Sequence, residues 1–188
     1  MKIAMLIGSR RAGRQSHKIG YYLEKQMLHR GLLTEMIDLG LREGVHGMNA
    51  SVSEADGVIL ITPEYHGSFS GVLKTALDAL EKELYHKPVG IVTVSSGRMG
   101  GVLASAQLQN VVLHLGGYVL PNKLLVPDVN TAFNDAMELV NERTLKSAAK
   151  FLDEYLWLSE AIHDKKAKAA TACKIIKAAN PIYLNHKP

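Results

Sequence analysis

Nine residues, Gly8-Ser9-Arg10-Arg11-Ala12-Gly13-Arg14-Gln15-Ser16, separate the apolar run KIAMLI from a stretch with helical periodicity. Glycine, hydroxyls and arginines at a strand-to-helix junction suit an anion. Backbone N–H groups at a helix start point outward, and the helix dipole favours negative charge there. A guanidinium adds a forked, permanently charged donor, and Ser9 and Ser16 add hydroxyls. A phosphate monoester fits this set; the plainer alternative is a Ser16 helix cap among surface arginines. Two well-known phosphate loops do not match. Arg14 and Gln15 stand where a nucleoside-triphosphate loop needs Lys and a Mg²⁺-binding hydroxyl. Ser9-Arg10 directly after Gly8 departs from the G-x-G-x-x-G dinucleotide fingerprint.

A second stretch, Pro63-Glu64-Tyr65-His66-Gly67-Ser68, ends another apolar run. A plain turn needs only Gly, Asn or Asp. Here Pro63 fixes the exit angle of the strand, while Tyr65 and His66 present flat faces suited to a planar ring. Gly67 lets backbone come close to such a ring, and the N–H groups of Glu64 through Gly67 are placed to bond its polar edge. A third stretch, Ser95-Ser96-Gly97-Arg98-Met99-Gly100-Gly101, offers a floor nearly free of side chains. The sequence shows no carboxylate pair poised for acid–base work and no nucleophile–His–acid order. His17, His29, His46, His86, His114, His163 and His186 lack metal-ligand spacing.

These loops need elements to hold them. Residues 2–7 read as a buried strand, 16–31 as a helix ended by Gly31, and 32–39 as an edge strand. Residues 40–56 form a short, weakly helical crossover, and 57–62 a second buried strand. Ser70 caps a helix with Leu73, Ala76, Leu77, Leu80 and Leu84 on one face. Pro88 opens the strand VGIVTV, a helix follows over 100–115, and 118–129 is a strand broken by Pro121. Thr131 is expected to cap a long helix running past Trp157, with the last helix ending at Asn180-Pro181. Alternation of this kind implies a parallel sheet covered on both faces. The expected fold is α/β, a flavodoxin-like three-layer sandwich whose five-stranded parallel sheet runs 2-1-3-4-5. In that order strands one and three are neighbours where the sheet reverses direction, and ligands bind in the crevice at such a switch point. The three loops then border one pocket. A phosphate clamp, a flat wall and a flat floor together suit flavin mononucleotide (FMN).

The motifs GSxR, PEYxxSxxGxLKxxxD and a Gly-rich loop after the fourth strand resemble the NADPH-dependent FMN reductase family, over roughly residues 1–155 and in the same order. Pro63, Glu64, Tyr65, Ser68, Gly71, Leu73, Lys74 and Asp78 all match the middle motif. The resemblance implies bound FMN, reduction by NADPH or NADH, and a homodimer or homotetramer. It implies hydride passing from NAD(P)H through FMN to a small-molecule acceptor such as a flavin, quinone, azo compound or metal oxyanion. Ser9 and Arg11 resemble the phosphate ligands, joined by Arg14, Gln15 and Ser16 in a loop longer than the common form. Pro63, Glu64, Tyr65, His66 and Gly67 resemble the loop along the ring, and Ser96 and Gly97 the residues beneath it. His66 replaces an Asn seen in many members, and Ala79 replaces a Trp. An FMN-binding electron carrier serving a protein partner is the alternative reading, although such carriers are usually acidic. A P-loop-like nucleotide binder is disfavoured by Arg14 and Gln15.

The chain has 188 residues, 47% apolar, with a net charge of +4. One domain over 1–188 is expected, with 158–188 as a C-terminal helical extension. MKIAMLI reads as a first strand rather than a signal peptide, because no small-residue cleavage site follows. No run suggests a membrane span. The single cysteine, Cys173, excludes an internal disulfide framework and fits a reducing cytoplasm. The basic cluster at 164–177 carries no interleaved aromatics, so a solvated helix face is favoured over a nucleic-acid surface. Lys74 and Asp78 are spaced as a surface ion pair, and Asp38 as part of an edge turn.

Overall fold

A computed structural model describes residues 1–41 and 47–179, without the side chains of residues 170 and 173–179. His46, His186 and the expected Asn180-Pro181 stop lie outside the described residues. Among the described residues seven strands form the sheet: β1 (Lys2–Ile7), β2 (Leu33–Asp38), β3 (Gly57–Tyr65), β4 (Ser68–Phe69), β5 (Pro88–Val94), β6 (Tyr118–Val119) and β7 (Leu124–Val126). Its order is β2-β1-β3-β5-β6, with β7 also on β5 and β4 on β3. This is the expected 2-1-3-4-5 order with two elaborations. The fifth strand is split, β6 pairing with Pro88–Val89 and β7 with Val92–Val94. Pro121, between the halves, has no N–H for a ladder. The strand after the β1 neighbour folds back as a short antiparallel hairpin.

Continuous apolar strands serve two cores because successive side chains face opposite ways. Ile3, Met5 and Ile7 of β1 pack with Ile19, Leu23 and Met27 of helix α1 (Ser16–His29) and with Phe151 and Tyr155 of α6 (Glu142–Ala179). Ala4 and Leu6 pack on the other face. Their partners there are α2 (Met48–Glu54), α3 (Gly71–Asp78) and α4 (Val102–His114), through Val52, Leu73, Leu77, Leu108 and Val112. Aromatic residues of α6 approach the sheet through missing side chains: a Cβ on Gly90 would lie 2.7 Å from Phe151 Cζ, and one on Gly57 2.5 Å from the Tyr155 hydroxyl.

The expected caps at Gly31 and Ser70 are present. Gly31 has φ +75° with the Leu32 N–H returning to the Met27 carbonyl, and Ser70 Oγ accepts from the Leu73 N–H. The helix expected from Thr131 is corrected. The one-turn α5 (Val129–Ala132) stops at the extended Phe133. Asn134 Oδ1 then accepts the Glu138 N–H, and Phe133 pairs with Leu139. The cap of α6 is Asn141, whose side chain accepts from the Thr144 N–H at 2.9 Å. Residues 158–179 continue α6 without a break, so the expected extension is the same helix. Its 38 residues span about 57 Å. Most described side chains beyond Ser159 are exposed, and His163 Nδ1 meets Asp56 at 3.0 Å.

Lys87 is buried. Its Nζ donates to the carbonyls of Val52, Ser53 and Ala55 at 2.5–2.6 Å, closing the C-terminal end of α2.

Gly90→Ala is expected to cost about 1–3 kcal/mol in denaturant unfolding, from overpacking against Phe151. Burial lowers the Lys87 pKa from 10.5 to about 8, although the three carbonyls favour the ammonium form. Between pH 8 and 10.5 the folded chain therefore binds fewer protons than the unfolded chain, so wild-type stability should rise through that window. Lys87→Met should flatten this rise and lower stability by about 1–3 kcal/mol, since it strands three carbonyls. Unfolding curves at several pH values check both effects.

Candidate functional site

β1 and β3 lie side by side, with Ile7 opposite Ile61. Their following loops open at the same edge of the sheet, and β5 delivers a third loop beside them. A cleft of about 330 Å³ lies among these loops. Eight of the twelve expected residues line it: Ser9, Arg11, Arg14, Gln15, Pro63, Glu64, Tyr65 and Ser96. Ser16, His66, Gly67 and Gly97 do not. Val129 and Asn130 of α5 line it and were missed by sequence reasoning. Their signal was Pro127-Asp128, which ends the fifth strand at the same sheet edge as the other loops.

The first two loops meet directly. Ser9 Oγ is 3.3 Å from Tyr65 Oη, and the Arg11 guanidinium carbon stands 3.6 Å above the Tyr65 ring centroid. A cation over an aromatic face is attracted by the ring quadrupole. One face of Tyr65 is thus occupied by Arg11. Arg14 is committed elsewhere: its guanidinium forks onto both oxygens of Asp38 and donates to the Ser9 carbonyl at 2.9 Å. Its hydrogen bonds to the Asp38 carboxylate raise the Arg14 pKa. Asp38 also takes the Gly40 N–H at 2.9 Å, so the edge turn and the phosphate-type loop share one carboxylate. Gln15 Nε2 donates to Gly13 at 2.9 Å. Gln15 Oε1 and Ser16 Oγ are buried and have no hydrogen-bond partner among the described residues. Ser16 does not cap α1: Gln15 is the N-cap residue, and no side chain bonds there.

The second loop is a tight hairpin. Tyr65 pairs with Ser68, and the two residues between them have positive φ, 51° at His66 and 75° at Gly67. This is the sign pattern of a type I′ turn, whose twist matches that of the strands. His66 stands at the exposed tip. Two contacts hold the hairpin on α4. Glu64 Oε2 accepts the Ala104 N–H at 3.0 Å in the first turn, where the helix dipole favours a carboxylate. Gln107 donates to the Gly67 carbonyl at 3.0 Å and accepts from Ser68 Oγ at 2.7 Å.

The third loop is tied to the end of β7. Ser95 N–H donates to Val126, Val129 N–H to Ser95, and Asp128 N–H to Gly97, at 3.0–3.3 Å. Gly97 N–H is turned back onto Ser95 Oγ at 3.1 Å. A larger, more apolar cavity of about 690 Å³ shares Arg11 and Tyr65 as a wall and is otherwise lined by Leu39, Leu41, Val72, Ala76 and their neighbours. Among the described residues no group of three or more His, Cys, Asp or Glu could hold a metal ion, and no helix is long and apolar enough to cross a membrane.

A parallel sheet of this order, with a phosphate-type loop and an aromatic loop at its switch point, defines a flavodoxin-like nucleotide-binding protein. The model of the NADPH-dependent FMN reductase family matches residues 1–131, and the chain belongs to that family. It is an FMN-dependent NAD(P)H oxidoreductase. An FMN-dependent NADPH-azoreductase of Staphylococcus aureus is 28% identical, the match covering 82% of this chain and 93% of that protein. FerB of Paracoccus denitrificans, a flavoenzyme NAD(P)H:(acceptor) oxidoreductase, superposes with a TM-score of 0.71 at 24% identity, over 85% of this chain and 97% of FerB. An oxidoreductase of Corynebacterium diphtheriae gives 0.70 at 16% identity, over 86% and 98% of the two chains.

Asp38→Asn should release Arg14 and loosen the Ser9–Ser16 loop. FMN affinity is expected to fall about ten-fold, the worth of one charge-assisted hydrogen bond. Titration of flavin fluorescence checks it, and an unchanged affinity removes Asp38 from loop positioning.

Proposed function

We propose that the cleft between the first three loops holds FMN, with its phosphate at the β1–α1 loop and its ring along Tyr65–Gly67 above Ser96–Gly97. The supporting observation is the contact of Arg11 and Ser9 with Tyr65. It joins phosphate-type donors and a planar wall in one cleft at the carboxyl ends of β1 and β3. The residues fit the group. Ser16 Oγ, a hydroxyl that can donate, lacks a partner among the described residues at the start of α1, where a phosphate is also favoured by the helix dipole. Among the described residues neither the His66 nor the Gly67 N–H donates elsewhere, which leaves both for the acceptors on a ring edge.

When bound, FMN supplies the two-electron chemistry that side chains lack. The chain's own residues bind, orient and screen. Arg11 brings positive charge to the phosphate end, while Arg14 holds the loop through Asp38. Glu64 and Gln107 fix the hairpin, so its N–H groups are pre-aimed rather than reorganised during reaction. Ser96 and Gly97 leave room above the floor for a second planar molecule, so nicotinamide and acceptor use the same place in turn. Azo compounds are the first acceptor class to test, given the azoreductase relative; quinones and free flavins share the flat shape. A homodimer or homotetramer in the cytoplasm is the expected setting. In favour of assembly, Leu103 and Leu113 of α4 are 57% and 53% exposed.

Purified protein is expected to bind one equivalent of FMN and to oxidise NADPH with an azo dye as acceptor. Arg11→Gln should weaken FMN binding about ten-fold, as loss of one charge-assisted contact implies. Flavin titration and NADPH absorbance measure these. No FMN bound at saturation, together with no turnover on any acceptor, would defeat the reading.

A further inference from the structure

A groove of about 460 Å³ opens beside the cofactor cleft and shares a loop with it: Ser95 and Ser96 line the cleft, Arg98 and Met99 the groove. Its cations come from three places in the chain, Arg98 on the shared loop, Lys123 between β6 and β7, and Arg143 and Lys150 on α6. Among the described residues no carboxylate lines it. Among the described residues Arg98, Lys123 and Arg143 form no ion pair, and Lys150 only approaches Glu154 at 3.7 Å on the open helix surface. Four positive groups gathered without an acid repel one another, and an anion between them relieves that repulsion.

Two further features point the same way. Asn122 lines the groove, and its Nδ2 is buried with no hydrogen-bond partner among the described residues. Native structures seldom leave such a donor unmet. The start of α6 also reaches the groove, at Arg143 and Thr144. Asn141 satisfies the Thr144 N–H, while the N–H groups of Glu142 and Arg143 have no intrahelical acceptor. Met99, 68% exposed, adds an apolar surface at the rim of the groove.

We propose that this groove binds the 2′-phosphate of NADPH, with the adenosine end lying across Met99 while the nicotinamide end enters the cofactor cleft. The assignment of the nicotinamide end rests on the FMN site proposed above. A phosphomonoester dianion matches several converging cations, and Arg143 provides the forked geometry that suits it. NADH has no such group, so the groove acts as a determinant of cofactor choice.

The test uses the full chain and the double variant Lys123→Gln/Arg143→Gln, with thermal melting to show that the variant folds. Calorimetric titration with adenosine 2′,5′-bisphosphate and with adenosine 5′-monophosphate reads the groove without FMN or turnover. The bisphosphate should bind at least about ten-fold more tightly, and the variant should lose that difference. In steady-state assays of the holoenzyme the variant's ratio of kcat/KM for NADPH over NADH should fall about ten-fold or more, through KM. Arg143→Lys, which keeps the charge, should retain part of the preference. Equal affinity for the two nucleotides, or an unchanged ratio, overturns the proposal; so do parallel losses with NADPH and NADH, which would place the cations on the shared diphosphate. Failure of the FMN reading looks different: no flavin binding, while variant-sensitive bisphosphate binding persists.

Discussion

The amide of Gly8 donates to the Ile61 carbonyl at 2.8 Å, and the Gly8 carbonyl accepts from Ser70 Oγ at 2.6 Å. Ser70 Oγ caps α3, while its own N–H is held by Thr62 Oγ1 at 3.1 Å. A Cβ at Gly8 would lie 2.6 Å from Leu73 Cβ. This small polar knot therefore requires a residue without a side chain, and it clamps the exit of β1 against the exit of β3 and the start of α3. Because both exits are fixed relative to one another, Ser9 and Arg11 reach Tyr65 although more than fifty residues intervene. Without the knot the loops would still leave the same edge of the sheet, but their side chains would not be in register.

Around that knot the charged residues divide by task. Arg14 and Glu64 line the cleft, yet each is already engaged: Arg14 with Asp38 and the Ser9 carbonyl, Glu64 with the first turn of α4. They set the geometry of loops whose backbone is free to face a ligand. Among the described residues Arg11 is held only by an aromatic face, a weaker tie that an anion can replace. Charge near the cleft is thus mostly spent on positioning, and a smaller part is left for recognition. That distribution is consistent with a site whose redox chemistry resides in a cofactor.

The strands, their order and the meeting of the three loops were legible because buried parallel strands are continuous apolar runs and their loops open at one edge. Ser70 and Gly31 announced their helix ends through residue type alone. The parts that were not legible depend on tertiary partners. Thr131 has the hydroxyl of a cap, but Asn134 and Asn141 make the turns that break the pattern and restart it as α6. Nothing in the spacing of Arg14 marks Asp38, twenty-four residues on, as its partner. The sequence puts His66 in the second loop, but its place at the hairpin tip with a positive φ is a conformation invisible in composition. Val129 and Asn130 escaped because the splitting of the fifth strand hid where its loop begins.

The left-handed backbone at His66 has a further effect. A tip residue with φ 51° is selected first for tolerance of that angle, which Asn, Asp, His and Gly share and β-branched residues lack. Within that short menu the hairpin tip exchanges an imidazole for an amide, an acid or bare backbone while Tyr65 and Ser68 keep their pairing. The hairpin is therefore a socket: the residue at its tip is free to change in polarity with little penalty to the sheet beneath.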